Sequence, residues 1–352
     1  MKNQKGSVVL DILSTIEKLC EYPSPSGFEH SASKRVENIM SRVMDKVEHD
    51  AFGNVYGIKK CGKKGAKCIL LDAHIDEIGL MVTGTKNGFL TFTTLGGVDP
   101  RILPATEVLV LTNPPRFGVI TALPPHLQSE KEMENAFDIE NLCIDIGAEK
   151  DEKTVPCGTP VIFSSGCVKL CENYISARAL DDRGGLVAIL TAIDMLKSKK
   201  LSCDVVVLAS VQEEVGCRGA KIAGFSVNPD LAIAVDVTHA HTPGADKTST
   251  FKSGSGVAIG VGPNMTKKIS DALIFVAKDK KIPHTIEVCA GHSGTNAWVL
   301  QTAREGIATG LLSIPLKYMH TPVETVKKKD IEATAKLICE FLLNLSSGGI
   351  KL

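Results

Sequence analysis

Aromatic residues are scarce, at 5% of the chain with a single tryptophan. A broad platform for stacking sugars is hard to build from so few. An excess of charge of either sign is also missing. Lys and Arg number 40, Asp and Glu number 40, and the formal net charge is zero. Nothing in that balance favours nucleic acid or an anionic membrane as a partner. No uninterrupted apolar run is long enough to span a bilayer. The first residues, Met1-Lys-Asn-Gln-Lys-Gly-Ser, lack the apolar core and small-residue cleavage site of a secretory signal. The 11 cysteines are odd in number and widely spread, many in apolar segments such as those holding Cys68, Cys203 and Cys339. Cys167 and Cys171 lack a second pair that would complete a structural zinc site. The cysteines read as small buried hydrophobes in a reducing compartment. The expectation is a cytoplasmic protein with no nucleic-acid and no membrane partner.

What remains is an ordinary globular composition over 352 residues, enough for one large core and a second domain. Apolar spacing predicts helices over 8–20 and 30–44, a hairpin over 47–58, and a short buried strand over 68–73 that delivers His74 at its end. From about 79 to 169 helical periodicity disappears. Short alternating runs punctuated by Gly96-Gly97, Pro100, Pro104 and Pro114-Pro115 take its place. An all-β domain inserted at 79–169 is expected, with 1–78 and 170–352 forming one discontinuous α/β unit. After the insert, helices are predicted over 184–197, 271–281 and 329–345, and strands over 203–210, 231–235 and 306–314. Strands and helices in alternation imply a layered α/β sheet.

Six scattered residues carry the chemistry: His74, Asp181, Glu213, Glu214, Asp236 and His320. Several follow apolar runs, so they would gather at strand ends, where open α/β sheets place ligand sites. Two histidines with carboxylates that can bridge suit a pair of borderline divalent metals such as zinc or cobalt. The sixth residue is then free to act as a base, which points to metal-assisted hydrolysis. In an extended segment residues i and i+2 face the same way. Asp76 can therefore reach the second ring nitrogen of His74 and fix its tautomer. Acids at a helix start are also ordinary caps. Of the pair that opens the 184–197 helix, Asp181 is assigned as a bridging ligand and Asp182 to local structure with Arg183, with Gly184 and Gly185 permitting close packing. Glu213 and Glu214 end a buried run and should diverge, one ligating while the other faces a bridging water. His30, His49, His126 and His284 read as surface residues. His239, His241 and His292 are candidates to line the pocket.

The motifs His74-x-Asp76-Glu77-Ile-Gly79, Leu95-Gly-Gly-x-Asp-Pro100-Arg, Ala179-Leu-Asp-Asp-Arg183, Glu213-Glu214-Val-Gly216, Asp236-Val-Thr-His239 and His320-x-Pro322-x-Glu324 occur in this order over nearly the full chain. As a set they resemble the tetrahedral, or deblocking and glutamyl, aminopeptidases, a family of cytosolic two-metal peptidases of which some members carry an endoglucanase label. The resemblance implies a mixed-sheet α/β/α di-metal exopeptidase domain interrupted by a small β-barrel-like dimerisation domain. It implies two divalent ions per subunit. His74 and Asp236 would sit on separate metals, with Asp181 bridging and Glu214 and His320 completing the set. Glu213 would be the general base and then the acid, with Asp76 as its catalytic companion behind His74. The implied substrates are short peptides, cleaved at the N-terminal residue. Members assemble as dimers and often as tetrahedral dodecamers, so a homo-oligomer is expected. One position departs: the family continues Gly294-Thr295 with Asp, whereas this chain has Asn296. The alternatives are a metal-dependent deacylase or carboxypeptidase on the same scaffold, glycoside hydrolysis by Glu213 and Glu214, and a metal-binding assembly subunit without activity. Glycosidase carboxylates must flank a bond at about 5–9.5 Å, and adjacent strand residues diverge.

Overall fold

The computed structural model describes residues 10–147 and 155–349. The chain opens with α1 (Ile12–Cys20), α2 (His30–Met40), β1 (Lys46–His49), β2 (Val55–Lys59) and β3 (Cys68–His74). Six strands follow, β4 (Gly79–Lys86), β5 (Phe89–Leu95), β6 (Glu107–Val110), β7 (Arg116–Thr121), β8 (Cys143–Asp145) and β9 (Pro160–Phe163), with the short α3 (Glu130–Glu134) before β8. Then come β10 (Val168–Leu170), β11 (Tyr174–Ala177), α4 (Leu180–Met195), β12 (Asp204–Ser210), α5 (Arg218–Val227) and β13 (Leu231–His239). The last stretch holds β14 (Val257–Val261), α6 (Lys267–Asp279), β15 (His284–Val288), α7 (Ala297–Gln301), β16 (Ala308–Lys317), β17 (Glu324–Lys327) and α8 (Lys328–Ser346).

Two assemblies result. An 11-stranded mixed sheet runs β1-β2-β12-β3-β13-β16-β17-β11-β10, with β14 pairing both β16 and β15. The strands β4-β5-β8-β7-β6-β9 close into a barrel. This is the mixed-sheet α/β class with a β-barrel that the sequence implied.

The central strands β12, β3, β13 and β16 are parallel. Helices cover both of their faces, so their sequences read as near-continuous apolar runs. Alternation assigns the faces. Ile69, Leu71 and Ala73 of β3 join one core with α1, α4, α6 and α8. Leu70 joins the opposite core with residues of α5 and α7. Asp72 and His74 follow Leu70 by the period of two. In the parallel registers Ser210 is the partner of His74, Ala234 of Asp72, and Ser313 of Asp236. His74, Ser210, Asp236 and Ser313 therefore share one face at the C-terminal end of the sheet. The barrel has its own apolar core, including Leu80, Phe92, Val108, Ile120, Ile144 and Val161.

Helix α1 is capped by Asp11, whose carboxylate accepts from Ser14 N at 2.7 Å. The predicted helix at 8–20 begins outside the described residues, and that at 30–44 stops at Met40. Helix α4 starts earlier than its periodicity suggests, with Asp181 and Asp182 in non-helical geometry at its head. Strand β13 runs on past Asp236 to His239 because Val237 and Thr238 are also buried. Helices α5 and α7 and strands β10, β11, β14, β15 and β17 are short and lie outside the predicted elements.

Candidate active site

The strand ends deliver their side chains to one place. His74 is buried at the end of β3, and its Nε2 lies 3.0 Å from Asp181 Oδ1. His320 Nε2 lies 3.2 Å from Glu214 Oε2 and 3.4 Å from Asp181 Oδ2. The Asp181 carboxylate thus sits between the two imidazoles. Two groups of donor atoms, each within 4.8 Å of one another, could hold a metal: His74, Asp181 and Glu214, and His74, Asp182 and Asp236.

Asp182 departs from its expected role. Its Oδ1 accepts from Gly185 N at 3.1 Å, as a local cap would. Its Oδ2 is buried with no partner, and the carboxylate joins His74 and Asp236. Arg183 turns away from Asp182. It donates to Leu19 O at 2.6 Å and to Glu77 Oε1 at 3.0 Å. Neighbours in sequence do not pair here because Arg183, completely buried, reaches the carboxylate that Arg178 also holds. Of the glycine pair, a Cβ on Gly185 would fall 2.2 Å from Asp182 Oδ1, while one on Gly184 would meet nothing within 4 Å.

Asp76 does more than face His74. Its carboxylate lies 3.5 Å from His74 Nδ1, and its main-chain carbonyl is nearer at 3.1 Å. The carboxylate accepts from Ser26 Oγ at 2.6 Å, from Glu213 N at 2.9 Å and from Glu214 N at 3.1 Å. One buried carboxylate thereby fixes the backbone of both glutamates. Glu324 works likewise on the far side, accepting from Asp181 N at 3.0 Å and His320 N at 2.9 Å. No spacing rule flags Glu324, although it closes the last quoted motif. The barrel also reaches the site. His320 Nδ1 lies 2.9 Å from Gly97 O, and a Cβ on Gly96 would fall 3.3 Å from that of Glu214. These glycines read as turn residues in sequence, and their close approach depends on the barrel folding back over the sheet.

The histidines treated as surface residues lie at the surface, save His284, which is half-buried with Nδ1 2.8 Å from Ile282 O. His239 is exposed, His241 is half-buried against Thr250, and His292 is exposed with its ring tilted against that of Trp298, centroids 4.2 Å apart. Asn296 is buried, and its Nδ2 donates to Ser210 Oγ at 2.9 Å. Burial raises the pKa of the adjacent Asp72 to about 6, with Ser210 and Asn296 easing the cost. An aspartate at 296 would set a second carboxylate against Asp72.

Electrostatics follow from crowding. Burial disfavours charge on both imidazoles, but Asp181 and Asp76 outweigh it at His74, and Asp181 and Glu214 hold His320 at about 11. Burial and repulsion from Asp181 push Asp236 well above the usual carboxylate range. Glu213 is raised to about 7, by burial first and then by Glu214 and Asp76. A buried carboxylate cluster with a partnerless oxygen and two imidazoles is a donor set that divalent cations fit.

A family model described as M42 glutamyl aminopeptidase matches residues 53–337. The chain belongs to the M42 glutamyl aminopeptidase family. It is a peptide hydrolase, as its relatives are. It is 37% identical over 330 residues to the lysyl aminopeptidase of Pyrococcus furiosus, covering 92% of this chain and 94% of that protein. The aminopeptidase APDkam598 of Desulfurococcus kamchatkensis superposes with a TM-score of 0.89 at 34% identity, over 97% of this chain and 96% of that one. The TET1 peptidase of Pyrococcus horikoshii, described as able to assemble into a tetrahedron or a large octahedral shell, superposes with a TM-score of 0.82 at 32% identity, over 94% and 99%. In this M42 chain no helix among the described residues is long and apolar enough to cross a membrane.

Proposed function

We propose that this chain is a two-metal aminopeptidase that removes N-terminal residues from short peptides, with Glu213 as the proton carrier. One observation carries the reading. Glu213 lies outside both donor groups, yet its amide is pinned beside that of Glu214 by the same carboxylate of Asp76. His74, Asp181, Glu214, Asp236 and His320 would hold two divalent ions of the zinc or cobalt kind, Asp181 between them, with Asp182 offering a further oxygen. When bound, such ions polarise a peptide carbonyl and lower the pKa of water.

The rest is the work of the chain. A pKa of about 7 at Glu213 suits a group that accepts a proton and returns it near neutrality. Its carboxylate takes the proton of the attacking water and delivers it to the leaving amine nitrogen. Asp76 and Glu324 keep the glutamates, Asp181 and His320 from drifting, through four backbone amides. The named relatives are aminopeptidases, which favours aminopeptidase over carboxypeptidase action.

Residues 79–169 are proposed as the dimerisation domain of a homo-oligomer. Phe117 at 53% and Leu127 at 60% exposure supply apolar surface there. All 11 cysteines are free, which supports a reducing, cytoplasmic setting.

The test is a metal-supplemented panel of peptides, free or blocked at the N-terminus, with chelator controls. Release of amino acids from the unblocked set alone, abolished by chelator, is expected. No release at full metal occupancy would sink the reading, and turnover confined to blocked substrates would replace it with deacylation.

A further inference from the structure

The buried cysteines do not all serve alike. Cys20, Cys203 and Cys339 pack into the large apolar core, as small hydrophobes do. Cys217 is also buried, at 6% exposure, yet it belongs to none of the three apolar clusters. Its neighbour is a carboxylate. Cys217 Sγ donates to Glu213 Oε1 at 3.2 Å. Among the described residues it is the one side chain that donates to the Glu213 carboxylate.

The turn after β12 aims the thiol. The amides of Gly216 and Cys217 both donate to Glu213 O at 2.9 Å, and those of Arg218 and Gly219 return to Gln212 O and Val211 O. Cys217 is left in the left-handed region, with φ +54° just before α5. That backbone disfavours β-branched side chains, so valine or threonine fits poorly there. Burial, and then the charge of Glu213, push the thiol pKa up, so it stays protonated near neutrality. It is a donor rather than a nucleophile. The last torsion of a glutamate is broad and roughly two-fold. A donor on Oε1 fixes that torsion and leaves Oε2 to face a water. Cys217 lies outside both groups of metal donors, so its replacement should leave metal content alone.

We propose that Cys217 is a positioning residue for the proton carrier: its S–H holds one oxygen of Glu213 so that the other meets the attacking water. The inference rests on the aminopeptidase reading, in which Glu213 moves the proton. Cys217 acts through Glu213 and therefore on kcat, not on substrate binding.

The test measures kcat and KM for an unblocked aminoacyl fluorogenic amide on the full-length, metal-loaded enzyme. Cys217→Ala should lower kcat by about 2- to 10-fold with KM unchanged, the worth of one weak hydrogen bond. Cys217→Ser restores a donor and should recover most of the loss. In a Glu213→Gln background, Cys217→Ala should cost nothing more. An unchanged kcat in Cys217→Ala, an equal loss in Cys217→Ser, or the full added loss in the Glu213→Gln background overturns the inference. Infrared spectroscopy reads the contact without turnover, and it decides should Cys217→Ala fail to fold. Subtracting the Cys217→Ser spectrum from the parent's isolates one S–H stretching band from those of the other cysteines. The band should lie below that of a free thiol and rise toward it in Glu213→Gln, where a neutral acceptor replaces the carboxylate. A band at the free-thiol position, unmoved by Glu213→Gln, overturns the inference. A displaced band in a parent that releases no amino acid supports the hold on Glu213 and overturns the aminopeptidase. Peptide turnover whose kcat ignores Cys217→Ala overturns the inference about Cys217 alone.

Discussion

Among the described residues between Glu77 and Arg178, no polar or charged side chain is buried, whereas the sheet on either side buries Asp72, His74, Asp76, Asp181, Asp182, Arg183, Asp236 and Glu324. The barrel is held by apolar burial, with Ile120, Ile144 and Val161 fully withdrawn from water. At the sheet's C-terminal edge, burial works against the groups present; most are held by hydrogen bonds, while both oxygens of Asp72 and Oδ2 of Asp182 are buried without a partner. One region is organised for stability and the other for chemistry. Removing a methyl group should harm the first, and removing a charge should harm the second only in what it does.

The largest expected effect tests the charged edge. Glu213→Gln should reduce turnover of an unblocked peptide by about 100- to 10,000-fold. Its melting temperature should hold or rise, because a neutral amide replaces a carboxylate that burial disfavours. Turnover and thermal denaturation at matched metal content check both halves. A collapse in stability instead would make Glu213 a structural residue and erase the contrast. Next comes the barrel. Ile120→Ala should cost about 2–5 kcal/mol in urea denaturation. Turnover per folded, metal-loaded subunit should stay within about 2-fold, as expected of a position without shared partners. A large loss of turnover would mean that the barrel transmits its packing to the site through Gly97 and His320.

The parts legible in sequence were those governed by period. The runs ending at His74 and Asp236 read as strands because covered parallel strands are apolar on both faces, and the barrel announced itself by turns. The rest depends on contacts between distant segments. Asp76 and Glu324 act by accepting from backbone amides, which leaves no spacing to read. Arg183 was paired with its neighbour Asp182, but a helix head points adjacent side chains apart, and Glu77, 106 residues away, received it. Asn296 meets Ser210 across 86 residues. In sequence Gly96 and Gly97 mark only a turn; their approach to Glu214 and His320 exists once the barrel folds over the sheet.

The smallest effect belongs to the seam where α2 meets the charged edge. Glu29 Oε1 accepts from Gly27 N at 2.8 Å and from Gln212 N, the residue before Glu213, at 3.1 Å. Burial, then the charge of Asp76, raises its pKa from an ordinary 4.5 to about 7, with those amides opposing. A carboxyl with a raised folded pKa binds its proton more tightly when folded. Its contribution is present in full below about 4.5 and is lost as pH rises through about 7. Glu29→Gln keeps an acceptor for the amides and has no proton to lose. Between pH 5 and pH 8 the parent should therefore lose roughly 2–3 kcal/mol relative to the variant. Urea denaturation of the metal-loaded proteins at the two pH values measures the difference. If parent and variant respond alike, the Glu29 carboxylate is compensated, and the cost of buried charge stops short of this loop.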